Sequence, residues 1–184
     1  MAIDKHVIDT NVLLVASSAH GVSPFAPEAT PVEDASLRKK VLDWLIEFEQ
    51  SDRKLVLDWG WIIVDEYRGV NRRDKLSEQD YGFQVVLNKF STGNSVGFSL
   101  DCDVNGHALL TDKALESAIT DLEDRKMVAA VLAVGGRANG CNLVNACDTD
   151  WYDCKDALKT AGVDVFQIIG KEWCHPRWKA KKQR

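Results

Sequence analysis

The sequence lacks the features that mark membrane and secreted proteins. No apolar run is long enough to cross a bilayer, which takes about 20 residues as a helix. The N-terminus shows no basic segment followed by a short apolar stretch, so no secretory signal is predicted. The protein is therefore expected to act in the cytoplasm, away from the membrane.

Cysteine and histidine are too few and too scattered to build common metal or disulfide sites. The five cysteines are an odd number and contain no Cys-x-x-Cys pair, which argues against a disulfide framework and a zinc knuckle. A reducing compartment agrees with this usage. The four histidines show no metal-ligand spacing and are expected at the surface or packed against strands. Cys147 is expected to be buried, because no histidine accompanies it in its motif.

A net positive charge is also absent. The chain has 23 Lys and Arg against 28 Asp and Glu, a net charge of −5, which argues against a surface that coats nucleic acid without selectivity. An enzyme that holds divalent cations in an acidic pocket is compatible with this charge, because the cations reverse it locally. Residues 171–184 differ, since they are basic and contain two tryptophans. Such a segment can bind a single strand by phosphate contact and base stacking, but a frayed, solvated tail is the expectation here.

Apolar segments of two kinds alternate along the chain. Short apolar runs predict strands, and stretches of helical periodicity predict helices between them. The strands are expected at 6–8, 54–57, 142–147 and 163–169, and the helices at 11–16, 33–50, 59–70, 77–90, 111–122, 125–134 and 151–161. Residues 17–30 and 91–106 are predicted as loops, the second with a short hairpin as the alternative. This alternation predicts a three-layer α/β/α sandwich with a mainly parallel sheet. One domain is predicted over 1–170, with 171–184 as a basic tail.

Acidic residues follow the predicted strands and begin predicted helices. Asp9 and Asp148 come directly after buried strands, and Asp124 precedes a helix. Glu66 shares the apolar face of the helix at 59–70 with Trp59, where an unpaired carboxylate is costly. Helix capping is the alternative for the aspartates.

The strand ends of a parallel sheet meet at one edge, so these four carboxylates are expected to gather there. Like charges repel in one pocket unless cations hold them. Ligands that are all oxygen suit Mg²⁺ or Mn²⁺. A cation held in this way activates water and supports phosphodiester hydrolysis, which is the chemistry that the pattern predicts.

Four segments together resemble the PIN-domain nucleases, a family that includes the toxin ribonucleases of bacterial toxin–antitoxin pairs. The segments are 7–14 (VIDTNVLL), 64–67 (VDEY), 124–130 (DRKMVAA) and 148–151 (DTDW). They cover most of the chain in the family's order. The chain departs from compact members by extra residues near 17–33 and 91–110, and by Arg125 and Lys126 directly after Asp124.

This resemblance implies a PIN-like fold and a metal-dependent endoribonuclease. Its catalytic and metal-binding residues would be Asp9, Glu66, Asp124 and Asp148, with Asp150 as an additional metal ligand. Thr10 or Asn11 would be the small polar residue that supports the first aspartate. Contacts to the substrate are expected from Asn11, Arg68 and Arg125. Arg72 and Arg73 are further candidates for phosphate contacts, and a solvated helix end is the alternative for these two and for Arg68.

RNA is the predicted substrate, with single-stranded DNA as the alternative. The resemblance also suggests a toxin of a toxin–antitoxin or defence system, and it leaves open an antitoxin, another protein partner and a homodimer. Two other functions are compatible with the residues. One is a non-catalytic PIN-like module that binds RNA or protein. The other is a phosphatase with Asp9 as nucleophile, against which Asn11 counts, because such enzymes usually have a second aspartate there.

Overall fold

The computed structural model describes residues 2–22, 25–69 and 80–183. Its strands are β1 (Lys5–Ile8), β2 (Lys54–Asp58), β3 (Ser95–Phe98), β4 (Cys141–Asn145) and β5 (Val165–Gln167). They form one five-stranded sheet in the order β3-β2-β1-β4-β5, and all four pairings between neighbours are parallel. Helices flank the sheet, so the predicted three-layer α/β/α sandwich is confirmed.

The helices connect successive strands, as a parallel sheet requires. In the described residues they are α1 (Thr10–Ser17), α2 (Ala35–Gln50), α3 (Ile62–Gly69), α4 (Tyr81–Ser91), α5 (Lys113–Ala118), α6 (Arg125–Ala133), α7 (Lys155–Thr160) and α8 (Lys171–Lys182). Short 3-10 turns lie at Pro27–Ala29, Gly136–Asn139 and Asp150–Tyr152. Helix α1 packs against α2 and α4, and α6 packs against β1, β2 and β4.

The two central strands carry the core of the sheet. Every residue of β4 is buried, and so are the last three residues of β1. Strands covered on both faces consist of nearly continuous apolar residues, which explains why both were recognisable in the sequence. The strand order reverses between β1 and β4, because the chain runs from β1 through β2 to β3 and returns to β4 on the other side. In such sheets the crevice beyond the carboxyl ends of the two strands is the usual ligand site.

The structure corrects several expectations about single elements. Strand β3 lies inside the stretch predicted as a loop. Trp59 precedes α3 instead of facing the core from it, and its surface is 67% exposed. The helix expected at 151–161 is divided into a 3-10 turn and α7. Residues 70–79, which include part of two predicted helices, lie outside the described residues.

The basic C-terminal segment is a helix and not a frayed tail. Helix α8 buries Cys174 completely, and Gln167 of β5 donates a hydrogen bond to the Cys174 sulfur at 3.1 Å. The expectation of a frayed segment was therefore wrong, whereas most residues of α8 are exposed to solvent, as expected. None of the helices in the described residues is both long enough and apolar enough to cross a membrane.

Candidate active site

Asp9 lies at the turn from β1 into α1, at the centre of the carboxyl edge of the sheet. It is the N-cap of α1, and its Oδ1 accepts a hydrogen bond from the Asn11 backbone at 3.1 Å. Its Oδ2 accepts a second hydrogen bond from the Trp151 indole nitrogen at 2.7 Å. Burial, the charge of Asp148 and the more weakly acting charge of Glu66 raise the pKa of Asp9 to about 7. The Asp9 side chain therefore caps α1 and also belongs to the group of carboxylates Asp9, Glu66, Asp124 and Asp148, which we term the acidic centre.

Asp148 lies just beyond β4, across the point where the strand order reverses. Its backbone and the Asn145 side chain exchange two hydrogen bonds, of 3.1 and 2.7 Å. Its Oδ1 accepts a hydrogen bond from the Asp150 backbone at 2.9 Å. Burial raises the pKa of Asp148, and the charge of Asp150 adds to this increase. Asp150 itself forms an ion pair with Lys181 of α8.

Asp124 stands at the N-terminus of α6 but does not cap it. Its backbone is helical, and its side chain makes no capping hydrogen bond. Burial raises the pKa of Asp124 to about 8, and the charges of Asp9 and Asp148 contribute next. Because the charges of these two carboxylates act on Asp124, the three aspartates lie within electrostatic range of one another. Their grouping into one site stays a prediction.

Glu66 projects from α3 toward the same centre and is held by two polar partners. Its Oε1 accepts a hydrogen bond from the Thr10 hydroxyl at 2.5 Å, and its Oε2 lies 2.6 Å from the Lys126 ammonium group. Lys126 is almost completely buried and also pairs with Glu123. Thr10 therefore supports Glu66, and Asp9 receives its support from the backbone of Asn11.

None of the family models, curated proteins or solved structures compared with the chain matches it. The resemblance to PIN-domain nucleases consequently stays a prediction from the four segments. The chemistry of this carboxylate cluster and its place in the sheet are the basis for a proposed function.

The cluster fits a hard divalent cation by donor type. Its ligands are oxygen atoms only, and a cation would relieve the repulsion that raises the pKa of Asp9 and Asp124. Across the described ranges, however, no group of three or more His, Cys, Asp or Glu side chains is arranged so that it could hold a metal ion. Two predicted ligands are bound to lysines instead, Glu66 to Lys126 and Asp150 to Lys181. The aspartates are close enough to repel one another but do not form a complete ligand shell.

The three predicted substrate contacts are all engaged within the protein. The Asn11 side-chain oxygen accepts hydrogen bonds from the backbones of Ala146 and Cys147, which connects α1 to the end of β4. Arg68 pairs with Asp65 at 3.3 Å and is half-exposed. Arg125 donates to the Glu116 carbonyl at 3.0 Å. Their roles toward a substrate stay predictions, and Arg72 and Arg73 lie outside the described residues.

Three residues of the centre received no role from the sequence. Trp151 holds Asp9, Lys126 holds Glu66, and Lys181 holds Asp150. Trp151 is part of the DTDW segment and follows Asp150 directly, so its position was a usable signal. Lys126 stood out only as a departure from the family pattern. Lys181 belongs to the segment expected to be a tail, where no sequence signal connected it to the acidic residues.

Proposed function

We propose that this protein is a metal-dependent endoribonuclease. The observation that carries the proposal is that carboxylates from three separate segments act on one another at the switch point of the sheet. After burial, the charge of Asp148 raises the pKa of Asp9, and the charges of Asp9 and Asp148 raise the pKa of Asp124. A protein gains no stability from gathering like charges, so their convergence supports a site built for a positively charged ligand.

The proposed ligands of Mg²⁺ or Mn²⁺ are Asp9, Asp124 and Asp148, with Glu66 and Asp150 completing the set. When bound, the cation lowers the pKa of a water molecule and neutralises charge on the phosphate. The surrounding residues orient the ligands. Trp151 and the Asn11 backbone hold both oxygens of Asp9. Thr10 fixes one oxygen of Glu66, and Lys126 balances its charge while the cation is absent.

RNA is the proposed substrate because the negative charge of its phosphodiester would be neutralised by a cation bound to these carboxylates. The bond to be cleaved lies in the backbone of the strand, so it can reach the cluster without a deep pocket. Single-stranded DNA is the alternative substrate and is tested in the same cleavage assay as RNA. A place in a toxin–antitoxin or defence system is a further proposal, which depends on the resemblance of the four segments to the PIN-domain toxins.

The test is cleavage of a single-stranded RNA by the purified protein with MnCl₂ and with EDTA. We expect cutting only with the metal, and a loss of at least about 100-fold in Asp9→Asn, because the oriented carboxylate is removed. Asp65→Asn is the matched control, since it neutralises a carboxylate that is next to Glu66 in sequence but exposed to solvent. Full activity in folded Asp9→Asn would refute the assignment.

Two other results would favour the alternatives. Mn²⁺ binding measured by calorimetry without cleavage of RNA or DNA would indicate a non-catalytic module. Hydrolysis of a phosphate monoester, with a trapped phosphate on Asp9, would indicate a phosphatase.

A further inference from the structure

Helix α8 is attached beside the acidic centre by its distal half. The Trp178 indole donates a hydrogen bond to Asp153 Oδ1 at 2.6 Å, and Lys182 lies 2.9 Å from Asp153 Oδ2. Lys181 pairs with Asp150, whose backbone in turn binds the carboxylate of Asp148. One end of this basic helix therefore contacts Asp150, a proposed metal ligand, directly.

Aromatic rings from two elements cluster on this part of the surface. The His175 and Trp178 rings of α8 stack with their centroids 5.4 Å apart. Tyr152, from the turn after β4, lies 6.1 Å from the first ring and 5.9 Å from the second. All three side chains are only partly buried, so ring surface is accessible beside the acidic centre.

Lysines surround these rings. Lys171 and Lys179 stand four residues before and after His175 on α8 and so share its face of the helix. Lys155 lines a cavity together with Tyr152. After burial, the positive charges of Lys179, Lys171 and Lys155 lower the pKa of His175. Within the described part of the chain, none of the three forms an ion pair. Together with Tyr152, His175 and Trp178 they form what we term the basic–aromatic surface.

This surface stands out against the charge of the whole molecule. The chain carries a net charge of −5, and Lys126 and Lys181 at the acidic centre are both paired with carboxylates. A cavity of about 270 Å³ adjoins the surface and shares Tyr152 and Lys155 with it. Unpaired cations interleaved with accessible rings are complementary to a strand that carries phosphates and unstacked bases.

We propose that the basic–aromatic surface binds single-stranded RNA and leads it to the carboxylate cluster. The lysines bind the phosphates, and the rings of Tyr152 and Trp178 stack with bases. This proposal deepens the proposed function and rests on it for the choice of substrate. An acidic protein would use the lysines but has no need of the rings, so a single strand matches more of the surface.

The test measures binding and cleavage separately. Binding of a fluorescent oligouridine is followed by anisotropy in EDTA, where the proposed reaction does not run. Lys155→Glu/Lys179→Glu should raise Kd at least about tenfold and make binding less dependent on salt, because fewer counterions are released. Tyr152→Leu keeps an apolar side chain but removes the ring, and it should weaken binding with little change in the salt dependence.

The matched control is Lys40→Glu/Lys54→Glu, which changes the net charge equally. Lys54 begins β2 and so lies at the amino-terminal ends of the strands, away from the carboxyl ends where the acidic centre lies. Lys40 is exposed on α2. We expect less than about a twofold change in Kd for this pair. An equal effect of both double variants, or no effect of either, overturns the proposal. Binding of polyglutamate in place of RNA overturns it too.

The two proposals fail in different ways. If the protein binds RNA through these residues but never cuts it with Mn²⁺, the surface stands and the nuclease assignment fails. If the protein cuts RNA and Lys155→Glu/Lys179→Glu leaves KM unchanged, the nuclease stands and the surface fails.

Discussion

Asp9 and Asp124 are held in surroundings that disfavour their charged forms. Asp9 is only 8% exposed, and after burial the charge of Asp148 raises its pKa. Burial also raises the pKa of Asp124, and the charges of Asp9 and Asp148 add to this increase. A pKa unit corresponds to about 1.4 kcal/mol of differential stability. Without a cation, the folded chain therefore prefers to keep protons on this pair, and this preference has a measurable consequence for its stability.

We predict that the metal-free protein becomes less stable as the pH rises from about 6.5 to about 8. Folded Asp9 and Asp124, with pKa values of about 7 and about 8, lose protons in this window. In the unfolded chain both are already ionised, so the folded state binds more protons and its stability falls with rising pH, by about 1–2 kcal/mol. His6, whose folded pKa is about 4, opposes this trend only below its unfolded value near 6.5. Urea unfolding at several pH values measures the slope.

Asp124→Asn should flatten this slope, because it removes one of the two carboxyl groups that titrate in this window. Saturating Mg²⁺ should abolish the slope, because a bound cation favours the ionised form of both carboxylates. Asp34→Asn is the control, since Asp34 caps α2 at the surface and its lowered pKa acts only in acid. A stability that rises between pH 6.5 and 8 would contradict the electrostatics described for the pair.

At the scale of elements, the turn from β1 into α1 was predictable and β3 was not. An apolar run followed by Asp9 carries both a strand signal and an N-cap signal. Strand β3 has four residues, includes Gly97 and lies at the edge of the sheet. A Cβ on Gly97 would come within 2.2 Å of the Trp59 ring, so glycine is required by a contact between elements. The secondary-structure propensity of the residues in β3 does not indicate such a contact.

Lys126 connects α6 to α3 through Glu66, and we predict that Lys126→Met costs about 2 kcal/mol without metal. The lysine side chain is 9% exposed and Glu66 is 27% exposed, so the variant leaves a mostly buried carboxylate unpaired. Added Mn²⁺ should stabilise this variant more than it stabilises the original protein, because a free Glu66 strengthens the proposed site. Urea unfolding with and without MnCl₂ provides both numbers.

The control for this experiment is Lys113→Met. Lys113 pairs with Glu116 on α5 but is 76% exposed, and exposed pairs contribute about 0–1 kcal/mol. If Lys126→Met and Lys113→Met lowered the free energy of unfolding by similar amounts, the buried Lys126–Glu66 pair would contribute no more to stability than the exposed Lys113–Glu116 pair. An equal response of both variants to Mn²⁺ would place Glu66 outside the metal site.

At the scale of the whole molecule, the parallel sheet accounts for what the sequence revealed about the site. Asp9 and Asp148 follow apolar strands, and parallel strands bring such positions to one edge whatever the intervening chain contains. The lysines that hold Glu66 and Asp150 were not predictable, because their partners lie on other elements. Helix α8 was missed because its only fully buried residue is Cys174, which leaves almost no apolar periodicity.

Whether α8 is part of the domain can be tested by the reactivity of the cysteines. Cys174 is completely buried beneath α8, and burial raises its pKa to about 11. Cys141 is equally buried at the start of β4, whereas Cys102 is partly exposed outside the sheet. We predict that iodoacetamide modifies Cys102 in the native protein and leaves Cys174 unmodified. In increasing urea, Cys174 should become reactive together with Cys141, as mass spectrometry of the labelled peptides would show, because one cooperative unit opens at once. If Cys174 reacted at lower urea than Cys141, α8 would be a separately unfolding segment, and a single strand bound to it would not be held at a fixed distance from Asp148.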